Sequence, residues 1–134
     1  MPTGQEWVVQ TIMGINQGAS GVVSWNDPTS EDIKSAASAL AKSLPEMVPW
    51  LFDPAAVRKT YVVGGASVAT WTKAEEGTLV LATNANYAKQ MVEWSKVCLE
   101  GSGVKVVFEN GKVEVGGGGF TLGPVGSAAF VVTA

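Results

Sequence analysis

The spacing of apolar residues changes near Arg58, from a helical repeat before it to a two-residue repeat after it. The clearest helical stripe follows Thr29, which is predicted to cap the helix, with Asp32 at its third position. The apolar members of the stripe recur at helical spacing and are Ile33, Ala36, Ala37, Leu40, Ala41 and Leu44. This spacing predicts an amphipathic helix with one buried face, and Pro45 is expected to end that helix or to begin a new turn.

A first helix and a buried strand are predicted ahead of that stripe. Thr3 and Glu6 are spaced as a capping box, apolar residues follow at helical spacing, and Gly18 can supply a left-handed stop. Residues 19–25, Ala-Ser-Gly-Val-Val-Ser-Trp, are mostly apolar and include two adjacent valines. Such a stretch is typical of the fully buried strands of parallel sheets, and the turn signal Asn26-Asp27-Pro28 follows it.

Beyond Arg58, eight short segments alternate in polarity and are separated by turn-forming residues. The predicted strands are Lys59–Val63, Ala66–Lys73, Thr78–Asn84, Lys89–Leu99, Val104–Glu109, Lys112–Val115, Gly119–Leu122 and Ala128–Thr133. The apolar stretch Gly77–Tyr87 is predicted to contain the central strand, and Asn110-Gly111 is predicted to make a type I′ hairpin. Strands of this length and spacing favour an antiparallel β-sandwich over an α/β sheet.

The whole pattern predicts an α+β fold. An N-terminal helix–strand–helix segment, residues 1–57, is expected to pack on a C-terminal antiparallel β-sandwich of about eight strands, residues 58–134. The apolar cluster 47–52 is expected to cover one end of the sandwich. Two helices and a lone strand would leave more apolar surface exposed than monomers tolerate. Residues 5–52 are therefore expected to fold back on the sandwich or to pair across a homodimer.

Composition excludes several kinds of chemistry. The 134 residues are 46% hydrophobic and include no histidine, so histidine-based catalysis and histidine metal ligation are excluded. Cys98 is the single cysteine, so no intrachain disulfide can form. Because Cys98 lies in an apolar strand pattern, it is predicted to be a buried, inert thiol. The acidic residues are too dispersed for a calcium loop, and no cofactor or metal is predicted.

Charge and hydropathy narrow the choice of partners. The net charge of −3 and the scattered lysines argue against a nucleic-acid partner. No apolar run reaches the roughly 18–20 residues of a membrane span, so no membrane insertion is predicted. Met1-Pro2-Thr3 lacks the features of a signal peptide, which places this start in the cytoplasm or at a processing boundary.

The order of these segments resembles the C-terminal end of a (β/α)₈-barrel glycoside hydrolase with its accessory β-sandwich domain. Glu6-Trp7 and the run from Gly18 to Trp25 resemble the last helix–strand step of the barrel, and 33–51 resembles its last helix. Residues 68–71, 77–87 and 120–132 resemble the accessory domain, including its Leu-x-Pro-x-Gly-type loop before a final strand. The resemblance covers nearly the full length, and it implies a secreted fungal enzyme family.

The chain departs from that family in its catalytic residues. Glycoside hydrolysis needs two carboxylates about 5–10 Å apart, and in barrel enzymes these sit on earlier strands, which this chain lacks. No catalytic residue is predicted, although Asp27 with a distant carboxylate is a residual enzyme hypothesis. The preferred interpretation is a non-catalytic binding protein with a carbohydrate or cell-surface glycoprotein as partner. The alternatives are an inactive structural fragment of a secreted glycosidase and a small fungal immunomodulatory effector.

Aromatic side chains are the candidate ligand-binding residues. At the tip of the predicted buried strand, Trp25 could stack on a sugar while Asn26 and Asp27 bind its hydroxyls; the alternative is a core indole and an ordinary turn. Three more aromatic residues fall in the sandwich pattern, namely Trp71, Tyr87 and Trp94. Two of them exposed on one sheet face would make a carbohydrate-stacking platform, whereas core or edge packing is the alternative. Glu75-Glu76 is predicted to be a solvated hairpin tip.

Overall fold

A computed structural model describes residues 3–19, 30–99 and 103–133. In these residues two helices, α1 (Gly4–Asn16) and α2 (Glu31–Leu51), precede all the strands. The strands are β1 (Val57–Val63), β2 (Ala66–Lys73), β3 (Gly77–Asn84), β4 (Gln90–Glu93), β5 (Val104–Asn110), β6 (Val113–Gly116), β7 (Gly119–Leu122) and β8 (Ser127–Val132). This is an α+β fold with its described strands in the C-terminal part, as predicted. The buried strand predicted at residues 19–25 lies, apart from Ala19, outside the described residues.

Helix α1 begins at the predicted capping box. The Thr3 hydroxyl accepts the N–H of Glu6 at 3.1 Å, and the Glu6 carboxylate accepts the N–H of Thr3 at 3.0 Å. The Gly4 N–H donates to the Asp32 carboxylate at 2.6 Å, and a Cβ on Gly4 would stand 2.6 Å from the Asp32 carbonyl oxygen. Only glycine therefore allows the two helices to approach this closely.

Helix α2 differs from its prediction at both ends. The cap is Ser30, whose hydroxyl accepts the N–H of Ile33 at 3.4 Å, so the helix begins one residue later than the predicted Thr29 cap. Pro45 does not end the helix, which continues through Pro49 to Leu51. Each proline removes one backbone donor, and burial of Met47 on the sheet holds the second half in place. Tertiary packing thus outweighs the local helix-breaking signal.

A five-stranded sheet with the order β1–β2–β3–β8–β5 forms the middle of the molecule, and all its pairings are antiparallel. Strand β3 lies at its centre with seven of its eight residues buried, which confirms the predicted central strand. The two helices pack on one face of this sheet. Their contact buries a set of apolar side chains: Val8, Ile12, Ala36, Leu40, Met47, Ala69, Trp71, Leu79, Leu81, Phe108 and Ala129. The helices therefore fold back on the sheet.

The other face of the five-stranded sheet packs on a three-stranded sheet with the order β4–β7–β6. Three aromatic rings lie between the sheets. The centroid of the Phe120 ring is 5.1 Å from that of Trp94 and 4.9 Å from that of Phe130. The two sheets form the predicted sandwich, and the helices add a third layer outside it. The segment 47–52, predicted to cover one sandwich end, instead forms the end of α2 up to Leu51, and its Met47, Trp50 and Leu51 pack on a face of the five-stranded sheet.

Three local predictions after residue 84 are wrong. Asn110-Gly111 joins β5 to β6, which lie in different sheets, so it is a crossing between sheets rather than a hairpin. The predicted strand 89–99 ends at Glu93, where the chain turns into a 3₁₀ helix, Trp94–Val97. Cys98 follows in the left-handed conformation, with φ of 59°, and its side chain is exposed rather than buried.

Candidate functional site

The structure does not bring the predicted sandwich aromatics together. Trp94 is 2% exposed in the core between the sheets, and its indole N–H donates to the Gly116 carbonyl at 3.0 Å. Trp71 is 6% exposed on the opposite, helix-covered face of the five-stranded sheet. Tyr87 is 76% exposed beyond β3. These three residues therefore do not form the predicted stacking platform. Trp71 and Trp94 pack in the hydrophobic cores, which is the alternative considered for them.

Tyr87 has a specific structural partner. Its hydroxyl donates to the second carboxylate oxygen of Glu6 at 2.8 Å, and this bond ties the start of α1 to the loop after β3. The hydrogen bonds that Glu6 accepts from the Thr3 backbone and from the Tyr87 hydroxyl lower the pKa of Glu6. The hydrogen bond that Tyr87 donates to Glu6 raises the pKa of Tyr87. The other predicted binding residues, Trp25, Asn26 and Asp27, lie outside the described residues.

A groove between the helices and the sheet has a volume of about 590 Å³. We call it the helix–sheet groove. Its lining comes from α1, α2, the buried Trp71 of β2 and the segment that joins α2 to β1: Trp7, Thr11, Ile15, Gly18, Ala19, Ala37, Leu40, Ala41, Leu44, Val48, Leu51, Phe52, Asp53, Pro54, Ala56, Arg58 and Trp71. Its volume lies in the range of small-molecule pockets, about 300–1,000 Å³.

Few polar side chains line this groove, and those of Thr11 and Asp53 already form hydrogen bonds within the protein. The Thr11 hydroxyl donates to the Trp7 carbonyl at 3.0 Å. The Asp53 carboxylate accepts the Ala55 N–H at 2.8 Å and pairs with Lys73 at 3.1 Å. Arg58 extends from β1, and its Nη1 donates to the main-chain carbonyl of Asn16. The interior is therefore mainly apolar, with charged groups only toward its edge.

A polar cluster around Lys73 fixes the end of α2 beside the groove. Lys73 pairs with Glu76 at 2.7 Å and with Asp53 at 3.1 Å, and it donates to the Pro49 carbonyl at 3.0 Å. The hydrogen bonds to Glu76 and Asp53 raise the pKa of Lys73. The Ala55 N–H and then Lys73 lower the pKa of Asp53.

Apolar side chains remain exposed on the helix layer near this groove. Val48 is 41% exposed and Phe52 is 58% exposed. Val48 and Phe52 also line the groove. Together with the lining they extend an apolar surface beyond the groove itself, of the kind that marks a binding surface when it is contiguous.

The apolar stripe predicted on α2 includes several residues of the groove lining, but the stripe does not distinguish them from residues of the core. The stripe on α2 contains both residues that are buried outside the groove, such as Ala36, and residues that line the groove, such as Ala41 and Leu44. Both kinds share the same helical spacing. The small side chains of Ala37 and Ala41 were the available signal, because small residues in a stripe leave space beside the sheet.

Comparison with protein-family models, with curated protein sequences and with solved structures finds no match. Within the described ranges, no group of three or more Cys, Asp or Glu side chains is placed to hold a metal ion. The helices of that part of the chain are also too short or too polar to cross a membrane.

Proposed function

We propose that the chain is a non-catalytic binding protein and that the helix–sheet groove binds a small apolar molecule. The observation that carries this proposal is the groove itself, about 590 Å³ in volume and lined mainly by apolar side chains. Filling it would remove the surfaces of Ile15, Leu44 and Val48 from water, and each Å² of apolar surface buried contributes about 25 cal/mol.

The polarity of the groove favours an apolar ligand over a sugar. A sugar presents several hydroxyl groups, and each polar group left without a partner on burial costs about 1–3 kcal/mol. Thr11 and Asp53 already use their polar atoms within the protein. Carbohydrate binding stays a prediction, and Trp25, Asn26 and Asp27 are the residues to which it now applies.

The proposal can be tested with an uncharged fluorescent probe, N-phenyl-1-naphthylamine, titrated into the protein. Ala41 lines the groove, so Ala41→Trp should fill it and weaken probe binding by about tenfold or more. Ala39 is exposed on the same helix and does not line the groove. Ala39→Trp is therefore the matched control and should bind the probe as the unmodified chain does. The proposal fails if binding is not saturable, or if both variants bind equally.

A second candidate function is favoured by the exposed apolar residues Val48 and Phe52. If the chain derives from a barrel glycoside hydrolase, this surface is where the rest of the barrel would pack, and the chain would be an inactive structural part of that enzyme. The antiparallel sandwich is consistent with that origin without identifying it. Co-expression with a glycoside hydrolase barrel that lacks its own last helices would test this function through formation of a stable complex.

We also propose the remaining properties that the sequence analysis predicts. A fungal origin, secretion, an immunomodulatory role and homodimer formation all depend on the resemblance or on the apolar surface of the helices. Analytical ultracentrifugation tests the homodimer directly. A glycan array on the purified chain, run beside Trp25→Ala, tests the carbohydrate partner.

A further inference from the structure

Arg58 is the one cationic residue among the described residues that line the helix–sheet groove. It lies on β1 opposite Trp71, and therefore on the helix-covered face of the five-stranded sheet. Its Nη1 donates to the Asn16 carbonyl at the end of α1, and its Nη2 lies 4.0 Å from the position of a Cβ on Gly18. The guanidinium is thus held at the rim of the groove, beside the C-terminus of α1.

No carboxylate among the described residues pairs with Arg58. Asp53, the one carboxylate that these residues contribute to the lining, pairs with Lys73 at 3.1 Å. None of the ion pairs in the described part of the chain includes Arg58. A guanidinium carries five N–H donors, and the described hydrogen bonds account for one of them. The groove therefore combines an apolar interior with a guanidinium at its rim, four of whose five N–H donors have no hydrogen-bond partner among residues 3–19, 30–99 and 103–133.

We propose that the ligand of the helix–sheet groove is an amphipathic carboxylate, whose hydrocarbon body lies in the groove and whose carboxylate binds Arg58. This inference rests on the proposed function and names the class of its ligand. A planar guanidinium matches a carboxylate with two parallel N–H···O bonds, and such charge-assisted bonds are about twice as strong as neutral ones. A ligand with a cationic head would meet repulsion at the same place.

Titration of decanoate and of 1-decanol, which share the same hydrocarbon chain, tests the inference by isothermal calorimetry. The unmodified chain should bind decanoate about tenfold more tightly than decanol, because hydrogen bonds to charged groups are stronger than neutral ones. Arg58→Gln removes the charge and retains an N–H donor for the Asn16 carbonyl. It should lose that preference for decanoate.

Two variants control for effects on folding and on general charge. Lys59→Gln removes the neighbouring charge on the opposite face of β1 and should retain the preference for decanoate. Arg58→Lys retains the charge without the planar fork and should retain part of the preference. If decanol and decanoate bind equally and Arg58→Gln changes neither, the carboxylate inference is overturned while the apolar groove stands. If neither ligand binds the unmodified chain, the proposed function itself fails.

Discussion

The side chain of Asn84 connects three separate backbone groups of the described structure, and no motif in the sequence indicates this role. Its side chain is fully buried and donates to the carbonyls of Ala88 at 2.8 Å and Gly123 at 3.0 Å. Its carbonyl oxygen accepts the N–H of Asn86 at 3.0 Å. One amide therefore fixes both the loop after β3 and the turn before β8, and so joins the two sheets.

We expect Asn84→Ala to lower the free energy of unfolding by about 3 kcal/mol, because it leaves buried donors and acceptors without partners. Chemical denaturation measures this loss. Asn86→Ala is the matched control, since Asn86 is exposed and its backbone N–H is retained. The control should change the stability by less than about 0.5 kcal/mol. Equal losses in the two variants would show that the Asn84 amide is not the connecting group.

At the scale of elements, the cluster around Lys73 joins the end of α2 to the β2–β3 hairpin and should make stability depend on pH. The hydrogen bond from Ala55 and then the pairing with Lys73 lower the pKa of Asp53. A carboxylate with a lowered folded pKa stabilises the fold fully above its unfolded pKa, about 3.9, and loses that contribution as the pH falls through the folded value. For Lys73, whose pKa is raised, the contribution is lost only when the pH rises above the usual lysine range.

Asp53→Asn should therefore lower the melting temperature at neutral pH, where the unmodified chain has the ion pair. The asparagine oxygen can still accept the Ala55 N–H, so the difference reports the charge. Scanning calorimetry should show that difference shrinking below about pH 4. Glu75→Gln is the control, because Glu75 is exposed at the same hairpin and makes none of the described ion pairs. A difference that persists at low pH would assign the effect to something other than the carboxylate charge.

The elements also show how far the sequence could predict this fold. Strand β3 was predictable because its apolar run lies between turn residues and both its faces are buried. The hairpin predicted at Asn110-Gly111 was wrong because a left-handed glycine, here Gly111 with φ of 80°, occurs in connections between sheets as well as in hairpins. The pairing of strands depends on contacts between residues distant in sequence, and the residues of a single turn do not report those contacts. The groove was missed for a related reason, since the α2 stripe alone does not reveal which of its positions contact the sheet.

At the scale of the whole molecule, both hydrophobic cores depend on the same strands. Val80 and Ala82 of β3 face the core between the sheets, whereas Leu79 and Leu81 face the helices. One core cannot open without removing the support of the other. The sequence-based division at residues 57 and 58 therefore separates two kinds of local pattern, and we expect the two segments to unfold together.

Phe120→Ala tests this expectation, because Phe120 is 1% exposed in the three-stranded sheet and belongs to the core on the side away from the helices. The substitution should destabilise the chain by about 3–5 kcal/mol, as large-to-small changes in cores do. Hydrogen exchange, followed peptide by peptide in mild denaturant, should show the same loss of protection in α2 as in β7. Phe52→Ala, at a 58% exposed position, is the control and should leave both unchanged. Faster exchange confined to the strands would show that the helices fold as a separate unit.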